Sequence, residues 1–252
     1  MAPAVGGGDS SEILYGLHAV REALRAGTRP LQKILVLRED RQFADLIHLA
    51  RSKKVPVHVE PRPFFDRHVP HGKHQGVIGL VAAKAYADQE EILDYARARN
   101  EPPLVVILDG LEDPHNLGAV LRNAEAAGAH GVFIPDRRSV GLTGTVAKAS
   151  AGALEHLRIG RAQNVSRLIE GLQTAGLWVY AVHPEAPKPY TDLDLRGPVA
   201  LVFGGEGQGI RPGVLEKCDD RTKIPMRGKV ASLNVSAAAA IVLYEVVRQR
   251  AG

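Results

Sequence analysis

The sequence predicts an α/β protein in two parts: a small α/β unit at the front and a larger unit built on a mostly parallel sheet behind it. Short apolar runs alternate with amphipathic helical stretches along nearly the whole chain. Behind residue 103 the apolar runs are continuous, the pattern of strands covered on both faces. Between the two parts the polar, proline-bearing stretch Asn100-Glu101-Pro102-Pro103 interrupts the alternation.

Residues 1–11 are rich in Gly, Pro and Ser and are expected to form a flexible tail. Leu17, Val20 and Leu24 fall at helical spacing, and Gly27 supplies a stop. Residues 33–37 read as a buried strand, and Phe43, Leu46, Ile47 and Ala50 mark a second helix. Strands follow at 55–59 and 77–82, closing a first unit at 12–87. An amphipathic helix over 88–99 and the polar stretch after it make up an expected linker, 88–103. The second unit, 104–252, has predicted strands at 104–109, 131–134, 177–182, 199–203 and 222–224. Its predicted helices lie around 117–127, 165–174, 212–217 and 235–250.

The chain has 252 residues, 45% hydrophobic and 24% charged, enough for a proper core and unlike a disordered chain. No apolar run approaches the ~20 residues of a membrane-spanning helix. The opening MAPAVGGGDSSE has neither a basic n-region nor an apolar h-region, so no secretory signal is expected. The single cysteine, Cys218, closes no internal disulfide and excludes a cysteine-based zinc cluster within one chain. Its neighbours Asp219 and Asp220 raise rather than lower a thiol pKa, so it is expected to be inert. A cytoplasmic location follows as an expectation. The charge is uneven: residues 1–88 carry 13 basic and 9 acidic side chains, and residues 89–252 carry 19 of each. That front-loaded excess suits a polyanionic partner, although solvated surface lysines and arginines explain it equally well.

Ligands in open parallel sheets bind outside the carboxyl ends of the strands, and three predicted loops lie there. The first, Asp109 to Gly118, leads into a helix containing Arg122. Asn116 is either that helix's N-cap or a site residue, and Arg122 either a surface cation or a partner. The second, Gly204-Gly205-Glu206-Gly207-Gln208-Gly209-Ile210-Arg211-Pro212, fails both phosphate-loop patterns. Ile210-Arg211 stand where a Walker loop needs Lys-Ser/Thr, and the dinucleotide pattern lacks its third glycine. A backbone that a ligand can approach closely remains, with Glu206 inside it. The third, Ser232-Leu233-Asn234-Val235-Ser236, precedes an Ala-rich helix suited to close packing. Ser and Asn there serve either as caps or as ligand contacts. From chemistry alone, His115 or Glu206 is the natural general base. The stretch His68 to His74 is a poor metal cluster, because Pro70 and Gly72 break any shared helical face; a loop touching RNA phosphate fits it better.

In this order the three loops resemble the three motifs of the SpoU/TrmH family of RNA ribose 2′-O-methyltransferases in the SPOUT class. The first motif is DGLEDPHNLGAVLRNAEAAGA, residues 109–129; the second is LVFGGEGQGIRP with downstream KIPM, residues 201–226; the third is SLNVSAAAAIVLYE, residues 232–245. Leu14 to Val20 and His74-Gln75-Gly76 resemble the small substrate-binding domain of the branch acting on guanosine in large-subunit rRNA, itself similar to an RNA-binding ribosomal protein fold. The resemblance implies a deep trefoil knot in the second unit and S-adenosylmethionine as cofactor, contacted by Gly204, Ile224 and Leu233. It implies Arg122 at the reacting ribose, with Asn116, Glu206, Ser232 and Asn234 orienting Arg122 and the nucleotide, and no metal. An arginine base is physically awkward, since its pKa stays above ~12. Positioning the phosphate and stabilising a developing alkoxide is the softer role. The implied partners are RNA, first of all 23S rRNA, and a second copy of the chain; neither membrane nor DNA is expected. A tRNA ribose methylase and a non-catalytic RNA-binding assembly protein are the competing readings. The failed phosphate-loop patterns set a nucleotide hydrolase aside.

Overall fold

The computed structural model describes residues 11–69 and 74–252 and folds them into two sheets. Residues 1–10 lie outside the described residues; the reading of a tail therefore goes no further, and Ser11 already belongs to a strand. The first unit runs β1 (Ser11–Tyr15), α1 (Leu17–Ala26), β2 (Leu31–Val36), α2 (Ala44–Ser52), β3 (Val57–Val59), α3 (Arg62–His68) and β4 (Val77–Ala82). Its sheet has the order β1-β4-β2-β3, with β4 antiparallel to both neighbours and β2 parallel to β3. Helix α1 buries Ala19, Val20, Ala23 and Leu24 and stops at Gly27, whose φ of 61° is the left-handed conformation that ends helices.

The helix expected within the linker 88–103 forms, and it is packed against the second unit. Asp88 and Glu91 form a reciprocal capping box at the head of α4 (Gln89–Ala98). Ile92 and Leu93 are buried in the second unit's core, beside Val105, Ile107 and Phe133, and Ala96 on the same helix is buried too. Ile92 occupies the space next to Gly131, where an added Cβ would fall 2.5 Å from its Cδ1. The short connector behind α4 is held as well: Arg250 donates to the carbonyls of Pro102 (2.7 Å) and Pro103 (3.1 Å).

The second unit comprises β5 (Leu104–Asp109), α5 (Pro114–Ala126), β6 (Gly131–Pro135), α6 (Gly144–Ala149), β7 (Ile159–Ala162), α7 (Val165–Thr174), β8 (Trp178–Val182), β9 (Lys188–Pro189), β10 (Val199–Gly204), α8 (Pro212–Leu215), β11 (Asp220–Lys223) and α9 (Val235–Ala251). Its seven strands, all parallel, have the order β7-β6-β5-β10-β8-β11-β9. Side chains alternate between the two faces with the strand period of two. Val105, Ile107, Val179, Ala181, Ala200 and Val202 pack under α4, α7 and α8. Leu104, Val106, Leu108, Leu201 and Phe203 pack under α5, α6 and α9.

This second core is continuous with that of the first unit. At the junction Tyr15 Oη lies 2.7 Å from Thr145 Oγ1. Arg29 donates through Nε (3.0 Å) and Nη2 (2.7 Å) to Glu155, whose side chain is fully buried. A Cβ on Gly144 would come within 2.3 Å of the Ile13 carbonyl oxygen. Consecutive strands β5, β6 and β7 are laid down on one side of β5, while β10 lies on its other side. The order in which strands are added therefore switches sides between β5 and β10, and a crevice opens at their carboxyl ends.

Candidate active site

At that crevice β5 ends in Asp109, which is fully buried. Its Oδ2 accepts from the backbone N–H of Arg211 (2.9 Å), and its Oδ1 accepts from Arg211 Nε (2.8 Å) and Nη2 (2.5 Å). The pairing compensates the cost of taking a carboxylate out of water. It also ties the far end of the 204–211 loop to the neighbouring strand. The near end is fixed by Gly205 N–H donating to the Asp109 carbonyl (2.8 Å). Two glycines are obligatory here. A Cβ on Gly205 would sit 1.9 Å from the Gly110 carbonyl oxygen, and one on Gly204 would sit 2.1 Å from the Gly209 carbonyl carbon. Gly204 is thus a glycine because its own loop folds back over it, an additional reason to the ligand approach expected from sequence.

Asp113 caps helix α5, accepting from the N–H groups of His115 (3.2 Å) and Asn116 (3.0 Å). Asn116 is therefore not the cap, and its side chain is free for other work. Its Nδ2 donates to Glu206 Oε1 (3.0 Å). Asn234 does cap its helix, α9, accepting from Ser236 N–H (2.9 Å) and Oγ (2.6 Å). Its Nδ2 nevertheless reaches Asn116 Oδ1 (3.0 Å) and Glu206 Oε1 (2.8 Å). Three loops distant in sequence thus converge on one carboxylate. Two amide donors hold Glu206 Oε1, and Oε2 has no partner among the described residues.

Beside this triangle opens a cleft of about 740 Å³, lined by Gly204, Glu206, Ile224, Ser232, Leu233 and Asn234 among others. Its size and its mixture of apolar side chains with a few convergent polar groups suit a mid-sized amphipathic ligand. Leu233 is 38% exposed, an apolar side chain left open at the cleft.

Arg122 is not among these groups. It is exposed, without a hydrogen-bond or ion-pair partner among the described residues. Six residues beyond Asn116 on α5, it lies about 9 Å along the helix and ~240° around it. The His115 ring is likewise exposed and unpartnered, so only Glu206 of the two carboxyl and imidazole base candidates joins the cluster. Cys218 is inert: burial, with Asp219 adding to it, pushes its thiol up to about 12, and its Sγ lies 3.4 Å from the Val214 carbonyl. His74 is buried, accepts from Gly76 N–H (2.9 Å), faces Asp66 (3.2 Å) and packs on Phe65, which is structural work. His68 bonds the Phe64 carbonyl (2.8 Å). Pro70 to Lys73, where phosphate contact was expected, lie outside the described residues. Sequence reasoning missed Asp109, Asp113 and Arg211. Asp113-Pro114 did signal a helix start, whereas only the strand register reveals the Asp109–Arg211 pair.

The SpoU rRNA methylase family matches residues 103–244, and the RNA 2′-O ribose methyltransferase substrate-binding family matches residues 13–87. The TrmH family tRNA/rRNA methyltransferase YacO of Bacillus subtilis is 44% identical over 241 residues, covering 95% of this chain and 96% of its own. A TrmH family tRNA/rRNA methyltransferase of Staphylococcus aureus is 43% identical over 240 residues, covering 94% and 96%. Among solved structures, the SpoU methyltransferase AviRb of Streptomyces viridochromogenes, in complex with AdoMet, superposes with a TM-score of 0.81 at 25% identity, covering 96% of this chain and 91% of its own. An AdoMet-bound rRNA methyltransferase of Sinorhizobium meliloti gives 0.77 at 25% identity, covering 94% and 87%.

Proposed function

This chain belongs to the SpoU rRNA methylase family of RNA methyltransferases, and from that premise we propose that it methylates a ribose 2′-oxygen of a guanosine in 23S rRNA, using S-adenosylmethionine. The convergence of Asn116, Glu206 and Asn234 at the mouth of the 740 Å³ cleft carries this reading. The cleft's residues fit the cofactor. Ile224 and Leu233 offer apolar faces for an adenine, and the turn at Gly204 keeps backbone close to the cavity. Bound there, S-adenosylmethionine supplies a methyl group on a sulfonium.

The chain's own task is to bring a ribose hydroxyl to that cleft and manage its proton. The two amides hold Glu206 through Oε1, so Oε2 is presented in one orientation to accept a hydrogen bond from a ribose hydroxyl. Ser232 adds a hydroxyl at the same rim. Arg122 holds the phosphate and stabilises the developing alkoxide. Since a single copy leaves Arg122 away from the triangle, the RNA itself or a second copy has to bridge that gap, and we propose a homodimer with α5 and α9 at the contact. The trefoil knot belongs to the same reading: segment 224–235 re-enters beside 183–185 and 204–210 to complete the cleft. The unit at 12–87 acts as the RNA clamp, in agreement with its match to a substrate-binding family and its share of the positive charge. Among the described residues no helix is long and apolar enough to cross a membrane, and we place the enzyme in the cytoplasm with its rRNA.

A tRNA substrate is the second reading, favoured by the relatives whose names include both RNAs. Incubation with methyl-labelled S-adenosylmethionine and, separately, unmodified 23S rRNA and bulk tRNA separates the two. Label at one rRNA position, resistant to alkaline cleavage, is the expected result. Label on tRNA alone reverses the substrate, and label on a base rather than a ribose overturns the reaction.

A further inference from the structure

Behind the triangle two smaller clefts, of about 560 and 510 Å³, share a wall made by Arg137, Arg138 and Arg211. The first is lined on its other side by Asn116 and by four acidic residues, Asp109, Glu112, Asp113 and Glu206. The second holds no acidic side chain; Gln163, Asn164 and Ser166, at the head of the ten-residue helix α7, complete its polar lining. The three arginines are not equivalent. Arg211 is committed to Asp109 through Nε and Nη2. Arg137 and Arg138 are exposed and have no ion-pair or hydrogen-bond partner among the described residues. The acid beside them, Asp136, faces Arg161 instead (3.8 Å), whose guanidinium lies over the Tyr86 ring. Arg138 also holds a φ of 58°, a conformation that non-glycine residues adopt at a cost of about 1 kcal/mol or more.

Two adjacent uncompensated guanidinium groups on the rim of an acid-free cleft form a site for a singly charged, multi-oxygen anion. Resting on the reading that the triangle is the active site for RNA, we propose that Arg137 and Arg138 bind a backbone phosphate of the RNA flanking the methylated nucleotide. The arginines stand where the two clefts meet, so a phosphate held on their acid-free side lies next to the cleft that contains Asn116 and Glu206, and the strand continues from it past α7. The contact is to phosphate, so it positions the strand without reading its sequence.

The test is the double variant R137Q/R138Q, both positions being exposed, with its melting curve checked against wild type. Binding to unmodified 23S rRNA and to bulk tRNA is measured without cofactor from 50 to 200 mM salt. Expected is a roughly tenfold loss of affinity for both RNAs, with the slope of log K against log salt reduced by about one to two. The methyl-transfer KM for RNA rises alike, with kcat within twofold and the S-adenosylmethionine Kd unchanged. The variant R137K/R138K restores the salt slope, because the charge is kept. Wild-type affinity and slope in R137Q/R138Q overturn the proposal, whatever the catalytic result. Weakened binding in the variant, found alongside a wild-type protein that methylates neither RNA, supports the phosphate site and sinks the proposed reaction instead.

Discussion

Asn116 and Asn234 show how one residue type serves two purposes at a helix start. Each stands where an N-cap reading is natural, yet only Asn234 caps. Asp113 takes the capping role at α5 and releases the Asn116 amide to Glu206. Glu206 needs both amides, since an exposed glutamate on a glycine loop otherwise samples many rotamers. Arg122 presents the opposite case, exposed and unpartnered. Arg122→Ala is expected to reduce methyl transfer at least a hundredfold while shifting Tm by no more than a degree or two, since exposed substitutions usually stay within about 0.5 kcal/mol. Near-normal turnover by the folded variant would remove Arg122 from the mechanism.

At the scale of elements, the loop 204–211 is a rigid part rather than a flexible turn, held at one end by Gly205 and at the other by Arg211. Gly205→Ala forces its methyl against the Gly110 carbonyl and is expected to destabilise by about 1–3 kcal/mol and to lower transfer more than tenfold by displacing Glu206. Gly207→Ala, with open space around the position, is the control: it carries the strain of a φ of 87° but no clash. Much of the framework that holds this loop was legible in sequence. Strand β5 falls on the predicted 104–109, and β10 extends its prediction by only Gly204, because buried parallel strands leave continuous apolar runs. Strand β1 escaped notice because SEILY buries only Leu14 and is recruited by pairing with β4. Strand β7, IGRA, escaped because its Gly160 exists to admit the Phe133 ring, 2.2 Å from where a Cβ would stand. The pair of Asp109 and Arg211, 102 residues apart, is created by strand order, which no local pattern encodes.

The whole molecule joins its two units through a buried contact centred on Arg29 and Glu155. Glu155→Leu leaves Arg29 with only Glu12 and the Ala82 carbonyl, its Nε and Nη2 buried without an acceptor, and is expected to destabilise by about 3 kcal/mol, whereas R29M/E155L recovers most of that loss. Additive losses in a double-mutant cycle would show that the pair does not act as a unit. Acid acts on the fold in two steps. Burial outweighs the attraction of Glu101 and lowers the His130 pKa below 6.5, so its contribution is complete above about pH 6.5 and is lost as pH falls through its depressed folded value. Arg248 and Gln249 lower Glu245 from 4.5 to about 2, so its contribution is complete above about pH 4.5 and is lost between there and pH 2. Thermal melts from pH 8 to 3 are expected to show both declines, with His130→Asn removing the first. A Tm unchanged between pH 7.5 and 5 would contradict this assignment.

All of this converges on a single carboxylate, carried on one loop and held by amides from the two others. The decisive measurement is the single-turnover rate of methyl transfer to the preferred RNA by Glu206→Gln, with S-adenosylmethionine binding followed by calorimetry on the same sample. A rate at least a hundredfold below wild type, with cofactor affinity within about threefold, is the expected result. Wild-type transfer by the folded variant would mean that the triangle of Asn116, Glu206 and Asn234 only braces the loop and that the chemistry lies elsewhere.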